Sequence, residues 1–360
     1  MTDREILLWL SGVKNMWHKK MSVLLDEFGT PEAVFKATKE ELEQCKDLKH
    51  AEIDDMLMKR ENFRAEEEYR KLEKLGIFII LEKDEDYPVL LRGMEDRPRI
   101  LFGGGNRSLL YELKPAAAII GARICSQYGI YTAEKFAGEL AKAGVTIISG
   151  MARGVDSAAH RGALQAGGKT VAVLGCGIDV CYPPENRDLY CKIRERGLLL
   201  SEYPPGTKPA AWHFPERNRL ISALSDCVVI TEAKEKSGSL ITAKWALEQG
   251  IDVMAVPGRI NDPLSAGCNR LIREGAAPVL EVSDIFLNMG VNYKNLEKKK
   301  IFLEKQNEVV YSVLGLHPQS IEEIQKKTEL SIVEIYGILL QLELAGLAEE
   351  PEKNYYVKRI

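Results

Sequence analysis

The sequence has no excess of positive charge: its 49 Lys and Arg residues stand against 53 Asp and Glu residues and give a formal net charge of −4. A uniformly basic, nucleic-acid-coating protein is therefore excluded, whereas a local cationic groove is compatible with this balance. No apolar run approaches the roughly 20 residues that a membrane span requires. The start, MTDREILLWL, has acidic residues where a signal peptide has basic ones. We expect a cytoplasmic protein.

Cysteine and histidine are also sparse. The seven cysteines are an odd number without a Cys-x-x-Cys pair, which predicts reduced thiols. The five histidines are scattered, and the sequence shows neither a cluster of metal-ligand residues nor a nucleophile paired with a base. It therefore predicts no catalytic residue, no metal site and no cofactor.

The residue pattern changes along the 360 residues, a length that suggests two or three domains. Residues 1–75 carry amphipathic segments separated by short turns, which predict an all-helical domain. Residues 76–290 alternate β-rich runs with Ala-rich stretches, which predicts a doubly wound, mostly parallel α/β sheet. Residues 291–300 are a polar linker, and 301–360 show three helical segments and a hairpin, the order of a winged-helix domain. The predicted strands of the sheet are Ile77–Leu81, Ile100–Phe102, Ala117–Ile120, Val145–Ser149, Thr170–Leu174, Leu198–Ser201, Cys227–Ile230, Asp252–Val256 and Pro278–Leu280.

Two glycine-bearing loops follow predicted strands. In Gly121-Ala122-Arg123, glycine lets a ligand approach the backbone, the next helix start attracts phosphate, and Arg123 adds a cation. An ordinary turn with a solvated arginine is the alternative. The second loop, SGMARG (149–154), has neither a Walker A ending nor GxGxxG spacing, and is interpreted as a backbone nest for an anion.

Four polar positions near helix starts have two interpretations each. Asp156 is predicted to cap the helix after the second loop, and His160, one turn later, is predicted to pack. A metal site or an acid–base pair formed by Asp156 and His160 is the alternative. The hydroxyl groups of Ser237 and Ser239 are expected to cap a later helix, with phosphate binding as the alternative.

Cations and aromatic residues are concentrated between Lys208 and Arg219. Trp212 and the run FPERNR (214–219) combine rings that stack on bases with cations that follow a phosphate backbone, which indicates single-stranded nucleic acid. The next helix is predicted to begin at Arg219. The alternative is a loop held by arginine–carboxylate pairs, with Asp226 as the natural partner.

The motifs are more specific together than apart. SGMARGVDSAAHRGALQAGGKTVAVLGCGIDVCYPPEN is followed by LLSEYPPGTKP, FPERNRLIS, TEAKEKSGSLITA, AVPG and GCNRLIREGA. This series, over roughly 84–286, closely resembles the bacterial DNA-processing protein A family, also called DprA or Smf. The resemblance implies an extended Rossmann-like core, preceded by a helical SAM-like or helix-hairpin-helix domain and followed by a winged-helix domain.

The resemblance also implies a function. Members of this family bind single-stranded DNA without sequence specificity, form homodimers, and load the RecA recombinase during natural transformation while they displace or accommodate single-strand DNA-binding protein. We therefore expect a recombination mediator without enzymatic activity. The alternatives are a transcription factor and a Rossmann-type enzyme acting on a nucleotide or nucleoside phosphate, similar to the cytokinin-activating lysine-decarboxylase-like family. The Pro-Gly-Gly-x-Gly-Thr loop of that family is absent here, where the sequence reads PGRI (257–260).

The resemblance assigns DNA-binding residues by motif, with two departures from the family pattern. Alanine at position 122 replaces a serine, which removes a hydroxyl contact. Gly12-Val13-Lys14 replaces the Gly-Ile-Gly of a helix-hairpin-helix, so this hairpin is not expected to grip DNA. The residues that match the family's DNA-binding motifs are Gly121, Arg123, Ser149, Gly150, Lys208, Phe214, Arg217, Asn218 and Arg219.

The C-terminal domain lacks the excess of positive charge that is typical of a DNA-binding domain. Its predicted recognition helix, 331–345, contains no Lys or Arg, and residues 299–360 hold 8 basic and 10 acidic residues. Because a recognition helix needs Arg, Lys, Asn or Gln for bases and phosphates, this domain is expected to contact a protein instead.

Overall fold

The structure is a computed structural model that describes residues 1–291, 305–328, 330–344 and 347–358. The chain divides into two compact units between Leu296 and Glu297. The linker predicted at 291–300 lies almost wholly outside the described residues. Within the described ranges, no helix combines the length and apolarity needed to cross a membrane. All seven cysteines are free thiols.

The first unit begins with helices, as the sequence predicted. Thr30 caps the third helix through its side-chain oxygen, and Pro31 occupies the first helical position, where its missing N–H breaks no bond. The helices share one apolar core with a face of the sheet, in which Leu10 and Leu24 pack with Phe102 and Leu199. They are α1 Asp3–Ser11, α2 His18–Phe28, α3 Pro31–Lys36, α4 Lys39–Gln44, α5 His50–Asn62 and α6 Ala65–Lys74.

A nine-stranded sheet follows, in the order β1-β2-β6-β5-β4-β3-β7-β8-β9. The seven strands from β3 to β9 are parallel to their neighbours, whereas β2 pairs antiparallel with β6 and β1 antiparallel with β2. The predicted mostly parallel sheet is thereby confirmed. The strands are β1 Ile77–Leu81, β2 Ile100–Gly105, β3 Ala116–Ile120, β4 Thr146–Ser149, β5 Thr170–Leu174, β6 Leu198–Ser201, β7 Cys227–Ile230, β8 Asp252–Ala255 and β9 Ala277–Pro278.

Helices cover both faces of the sheet, which is why most of its strand residues are apolar and buried. Along β3, Ala118 and Ile120 face the core that contains Leu220 of α11, while Ala117 and Ile119 face the core that contains Phe136 of α8. The helices of this part are α7 Val89–Arg92, α8 Gln127–Lys142, α9 Val155–Gln165, α10 Arg187–Arg196, α11 His213–Ala223, α12 Ser239–Glu248, α13 Ala266–Arg273 and α14 Val282–Asn288.

Several of these helices differ from expectation. The sequence did not predict α7, α10 or α14, and the helix expected from Arg219 begins six residues earlier, at His213. Pro215 is the third residue of α11, where proline is tolerated because the first amides of a helix have no intrahelical partner. The FPERNR run is therefore the first turns of a helix rather than a loop.

The chain reverses its progression across the sheet at β3. Strands β4 to β6 lie on one side of β3, and β7 to β9 lie on the other. Loops that leave β3 and β7 therefore diverge to opposite sides and leave a crevice between the carboxyl ends of these two strands, the usual place for a ligand in such sheets.

The second unit is a winged-helix domain, as predicted. Its own core contains Val310, Ile324, Ile335, Leu339 and Tyr356. Its three strands lie in the order β10-β12-β11, and α17 occupies the place of the recognition helix. The elements are α15 Lys305–Val313, β10 Gln319–Ser320, α16 Ile321–Thr328, α17 Ile332–Leu344, β11 Ala348–Glu352 and β12 Tyr355–Lys358.

Candidate functional site

A cavity of about 420 Å³ opens at the carboxyl ends of β3 and β7. It lies between the loop after β3, the first turns of α11, and the segment that leads from β7 into α12. Its polar lining consists of Arg123, Asp156, Arg217, Asn218, Lys234, Lys236, Ser237, Ser239 and Thr242. Cations outnumber the carboxylate, so this cavity is suited to an anion.

The loop after β3 is held by close backbone packing. The amide of Ala122 donates to the carbonyl oxygen of Glu232 at 2.8 Å. A Cβ atom at Gly121 would lie 2.7 Å from Cγ2 of Val155 and 2.8 Å from the Glu232 carbonyl oxygen, so a larger residue does not fit. The side chain of Ala122 is buried, whereas Arg123 is exposed at the mouth of the cavity. This packing fixes the backbone from which Arg123 projects.

An aromatic pair forms one wall. The rings of Phe214 and Tyr182 stack with centroids 5.4 Å apart and an interplanar angle of 29°. The guanidinium carbon of Arg123 lies 5.2 Å from the Phe214 centroid, within cation–π range. A Cβ atom at Gly175 would lie 2.8 Å from the Phe214 ring, so glycine at this strand end makes room for it. The wall thus combines a fixed cation with flat apolar surface.

Arg217 supports the SGMARG loop (149–154) from the buried side. Its side chain is buried, and its Nη1 donates to the carbonyl oxygens of Gly150, at 3.0 Å, and of Val173. Asp156 Oδ2 accepts from the amides of Gly150, at 3.2 Å, and of Ala152, at 3.3 Å. Burial raises the pKa of Asp156 above its ordinary value and lowers the pKa of Arg217. The buried charges hold the loop by its backbone.

The prediction that Asp156 is the cap residue of the helix after the second loop is wrong. The cap residue of α9 is Gly154, at φ +72°, and the Asp156 carboxylate binds the loop before it. His160 packs as predicted, with Nδ1 2.7 Å from Oγ1 of Thr170, and burial lowers its pKa to about 3. In the part of the chain that the structure describes, no group of three His, Cys, Asp or Glu side chains could hold a metal ion.

Arg219 does not reach the cavity. Its side chain is 1% exposed and pairs with Glu202 at 2.5 Å and with Asp96 at 3.1 Å. The expected partner, Asp226, instead pairs with Lys114 at 2.7 Å. The arginine–carboxylate alternative therefore describes Arg219 correctly, but with different carboxylates. Arg219 therefore stabilises the fold, and we do not count it among the candidate DNA-binding residues.

The structure brings most, but not all, of the predicted residues together. Gly150 borders a small recess beside the cavity, which Arg123 and Phe214 also line. Ser149 is fully buried, and its hydroxyl donates to the carbonyl oxygen of Ile119, so its side chain joins two strands. Lys208 is exposed on the loop after β6, outside the cavity lining. The predicted residues that line the cavity are Gly121, Arg123, Phe214, Arg217 and Asn218.

Sequence reasoning missed three residues of the site. Lys234 and Lys236 are exposed on the segment between β7 and α12, and Tyr182 precedes α10. The signal for the lysines was their position just after a strand end.

The expected capping of α12 is weak, because its cap residue is Gly238 and the Ser239 amide lies 3.4 Å from the Ser237 hydroxyl.

Fold and site together define a class of protein. The first turns of α11 and α12 border a cavity that also presents three exposed cations, and helix N-termini favour anions. This is a doubly wound α/β protein with a cation-lined, aromatic-walled cleft at its switch point and a winged-helix domain. The family model of DNA recombination-mediator protein A matches residues 78–290, and that of the DprA winged helix domain matches 300–350. The chain belongs to this DprA/Smf family.

Individual relatives agree with this assignment. The chain is 46% identical to DNA processing protein DprA of Streptococcus pneumoniae over 216 residues, which are 60% of this chain and 75% of the relative. It is 31% identical to Protein Smf of Synechocystis over 99% of both chains. The X-ray structure of the pneumococcal DprA superposes with a TM-score of 0.67 at 36% identity and covers 80% of this chain and 98% of its own. The Helicobacter pylori DNA processing protein A, described for its unique single-stranded DNA binding mode, has a TM-score of 0.55 at 32% identity and covers 61% and 97%.

Proposed function

We propose that this protein binds single-stranded DNA in the cavity at the switch point, without reading its sequence, and acts as a recombination mediator. One observation carries the proposal: Arg123, Lys234 and Lys236 converge on a cavity whose wall is the Phe214 ring. Cations that follow a phosphate backbone beside a stacking surface are the usual elements of a single-strand site.

The chemistry of the site favours single strands over duplex. A ring stacks on any base, but the base must be free of its neighbours, as it is in a single strand. Phosphate contacts from Arg123, Lys234 and Lys236 carry no sequence information, because the backbone is the same at every step. We expect binding that depends strongly on salt and little on base composition.

The proposed activity needs no catalytic turnover. Asp156, the carboxylate at the cavity, accepts hydrogen bonds from two backbone amides, and His160 is wholly buried against Thr170. Both side chains are thus occupied in supporting the fold. Nucleotide is expected to be dispensable for DNA binding.

Family membership supports the further parts of the proposal. We propose that the protein acts as a homodimer, loads RecA onto the bound strand during natural transformation and recombination, and displaces or accommodates single-strand DNA-binding protein. A cleft that grips phosphates by exposed side chains suits such a transfer, because contacts can be exchanged one at a time.

Competition binding tests the proposal. Labelled oligo-dT is bound by the full chain and then challenged with unlabelled oligo-dT, oligo-dA or a duplex of equal length. We expect both single strands to compete and the duplex to compete poorly. Equal displacement by duplex would refute the proposal. A nucleotide hydrolysis rate that is abolished by Asp156→Asn or His160→Gln would instead favour an enzyme.

A further inference from the structure

Two tryptophans meet where the N-terminal helices contact α11. Trp212 immediately precedes α11, and Trp17 immediately precedes α2. Their ring centroids lie 5.9 Å apart with an interplanar angle of 58°. Trp212 is 47% exposed, so about half of this large apolar side chain faces solvent. Neither residue lines the cavity described above.

Neighbouring buried rings hold the tryptophan pair in place. Trp17 contacts the ring of Tyr203 at 5.3 Å and the ring of His213 at 5.6 Å, both edge to face. Tyr203 and His213 are buried and stack on each other at 4.2 Å. Trp17 is therefore fixed by three rings, and Trp212 rests against it with its exposed surface available.

Trp212 lies close in the chain to Phe214, the aromatic residue of the cavity wall. Trp212 and Phe214 are two residues apart, so their Cα atoms are separated by at most about 7.6 Å. Exposed lysines lie near the two tryptophans in sequence: Lys208 is four residues before Trp212, and Lys19 is two residues after Trp17. Lys208 is also one of the predicted DNA contacts that do not line the cavity.

We propose that the exposed face of Trp212, backed by Trp17, is a second stacking platform for the bases of single-stranded DNA. The inference rests on the proposed function and extends its site: a strand that leaves the cavity past Phe214 places its next bases on Trp212 and its phosphates near Lys208. The N-terminal helices then contribute to DNA binding through Trp17, although their Gly12-Val13-Lys14 hairpin departs from the helix-hairpin-helix pattern.

A length series of oligo-dT tests the platform on the full chain. Strands of about 4 and about 16 nucleotides span the range of known single-strand sites. Trp212→Ala should weaken the longer strand about ten-fold, the effect of removing roughly one stacked base, and leave the shorter strand unchanged. Trp212→Phe should retain most of the affinity, because the platform remains aromatic. Tyr111→Ala is the matched control, since Tyr111 is 67% exposed and lies before the start of β3, at the opposite edge of the sheet.

The outcomes separate this inference from the proposed function. If Arg123→Ala weakens both strands while Trp212→Ala changes neither, the platform is refuted and the cavity site stands. An equal loss on both lengths with Trp212→Ala would also refute the platform, because the effect would then lie in the cavity or the fold. If the unmodified protein binds neither strand, both proposals fail. Urea unfolding of each variant shows whether the fold is intact.

Discussion

The guanidinium of Arg123 lies 5.2 Å from the centre of the Phe214 ring. This contact joins the loop after β3 to the first turn of α11, two segments that are far apart in sequence. It places a cation directly beside a flat aromatic surface, and under the proposed function one nucleotide would engage both, through its backbone and its base.

Gly150→Ala should weaken single-strand binding indirectly. The effect comes from displacement of the loop rather than from a contact between the new methyl group and DNA. A Cβ atom at this position would lie 2.7 Å from both Arg217 Nη2 and Asp156 Oδ2, so the buried charges that hold the loop must shift. Anisotropy titration with oligo-dT measures the loss. Gly93→Ala is the control, because a methyl group there would have no atom within 4 Å and the φ of Gly93 is not positive. Equal affinities for the two variants would contradict the supporting role of Arg217.

Arg219→Ala should destabilise the fold by about 3–5 kcal/mol, the usual effect of leaving a buried partner charge unpaired. Burial alone would raise the pKa of Glu202, but the Arg219 charge and hydrogen bonds lower it to about 2. Removal of the arginine therefore leaves a buried carboxylate without its main partner. Urea unfolding measures the change, with the exposed Lys208→Ala as a control expected within about 0.5 kcal/mol of the unmodified protein. A stable Arg219→Ala variant that loses DNA binding would return Arg219 to the interface.

The free energy of unfolding should fall as the pH decreases from about 6.5 to about 5. Burial lowers the pKa of His160 to about 3 in the folded protein, so in this window the unfolded chain binds a proton at this residue that the folded chain does not. His160→Gln should reduce the proton uptake on unfolding at about pH 5 by about one. Urea unfolding at several pH values gives this slope. An unchanged slope in His160→Gln, equal to that of the exposed control His50→Gln, would show that His160 is accessible.

Much of the fold was predictable because the sheet is buried on both faces. Continuous apolar runs, such as Thr170–Leu174 and Leu198–Ser201, located these strands at their observed bounds. The antiparallel pairing of β2 with β6 was not predictable, since strand order depends on contacts between distant segments. The start of α11 was missed because Pro215 and the charged residues around it resemble a loop, although proline is tolerated in a first helical turn.

The candidate site was predictable only where a local motif carried it. Arg123 and Phe214 lie in runs whose residue types indicate phosphate or base contacts, whereas Lys234 and Lys236 lie in TEAKEKSGSLITA (231–243), a run in which the sequence assigned no residue to DNA. They join the site because β7 is the neighbour of β3 in the sheet. Conversely, Arg219 belongs to a motif but points into the core, because successive residues of a helix face different directions.

Removal of the winged-helix domain should leave single-strand binding intact. A chain that ends at Lys298 keeps every residue of the cavity and of the tryptophan pair. On α17 the residues Val333, Leu340 and Leu344 are exposed, and an apolar surface without Lys or Arg is suited to a protein contact. Filter binding with oligo-dT compares the two chains. Tight DNA binding by the isolated fragment 299–360 would contradict this assignment.

The salt dependence of oligo-dT binding tests the central claim most directly. Each phosphate that the protein neutralises releases counterions, so the slope of log affinity against log salt becomes shallower by roughly 0.7 for every cation removed from a single-strand site. The double variant Arg123→Ala with Lys208→Ala should bind every sequence more weakly and show a slope shallower by roughly 1.4. The charge-matched control, Lys114→Ala with Lys142→Ala, removes two cations at the amino ends of β3 and β4 and should keep the original slope. An unchanged affinity and slope in the folded Arg123→Ala, Lys208→Ala variant would contradict the assignment of this surface to DNA.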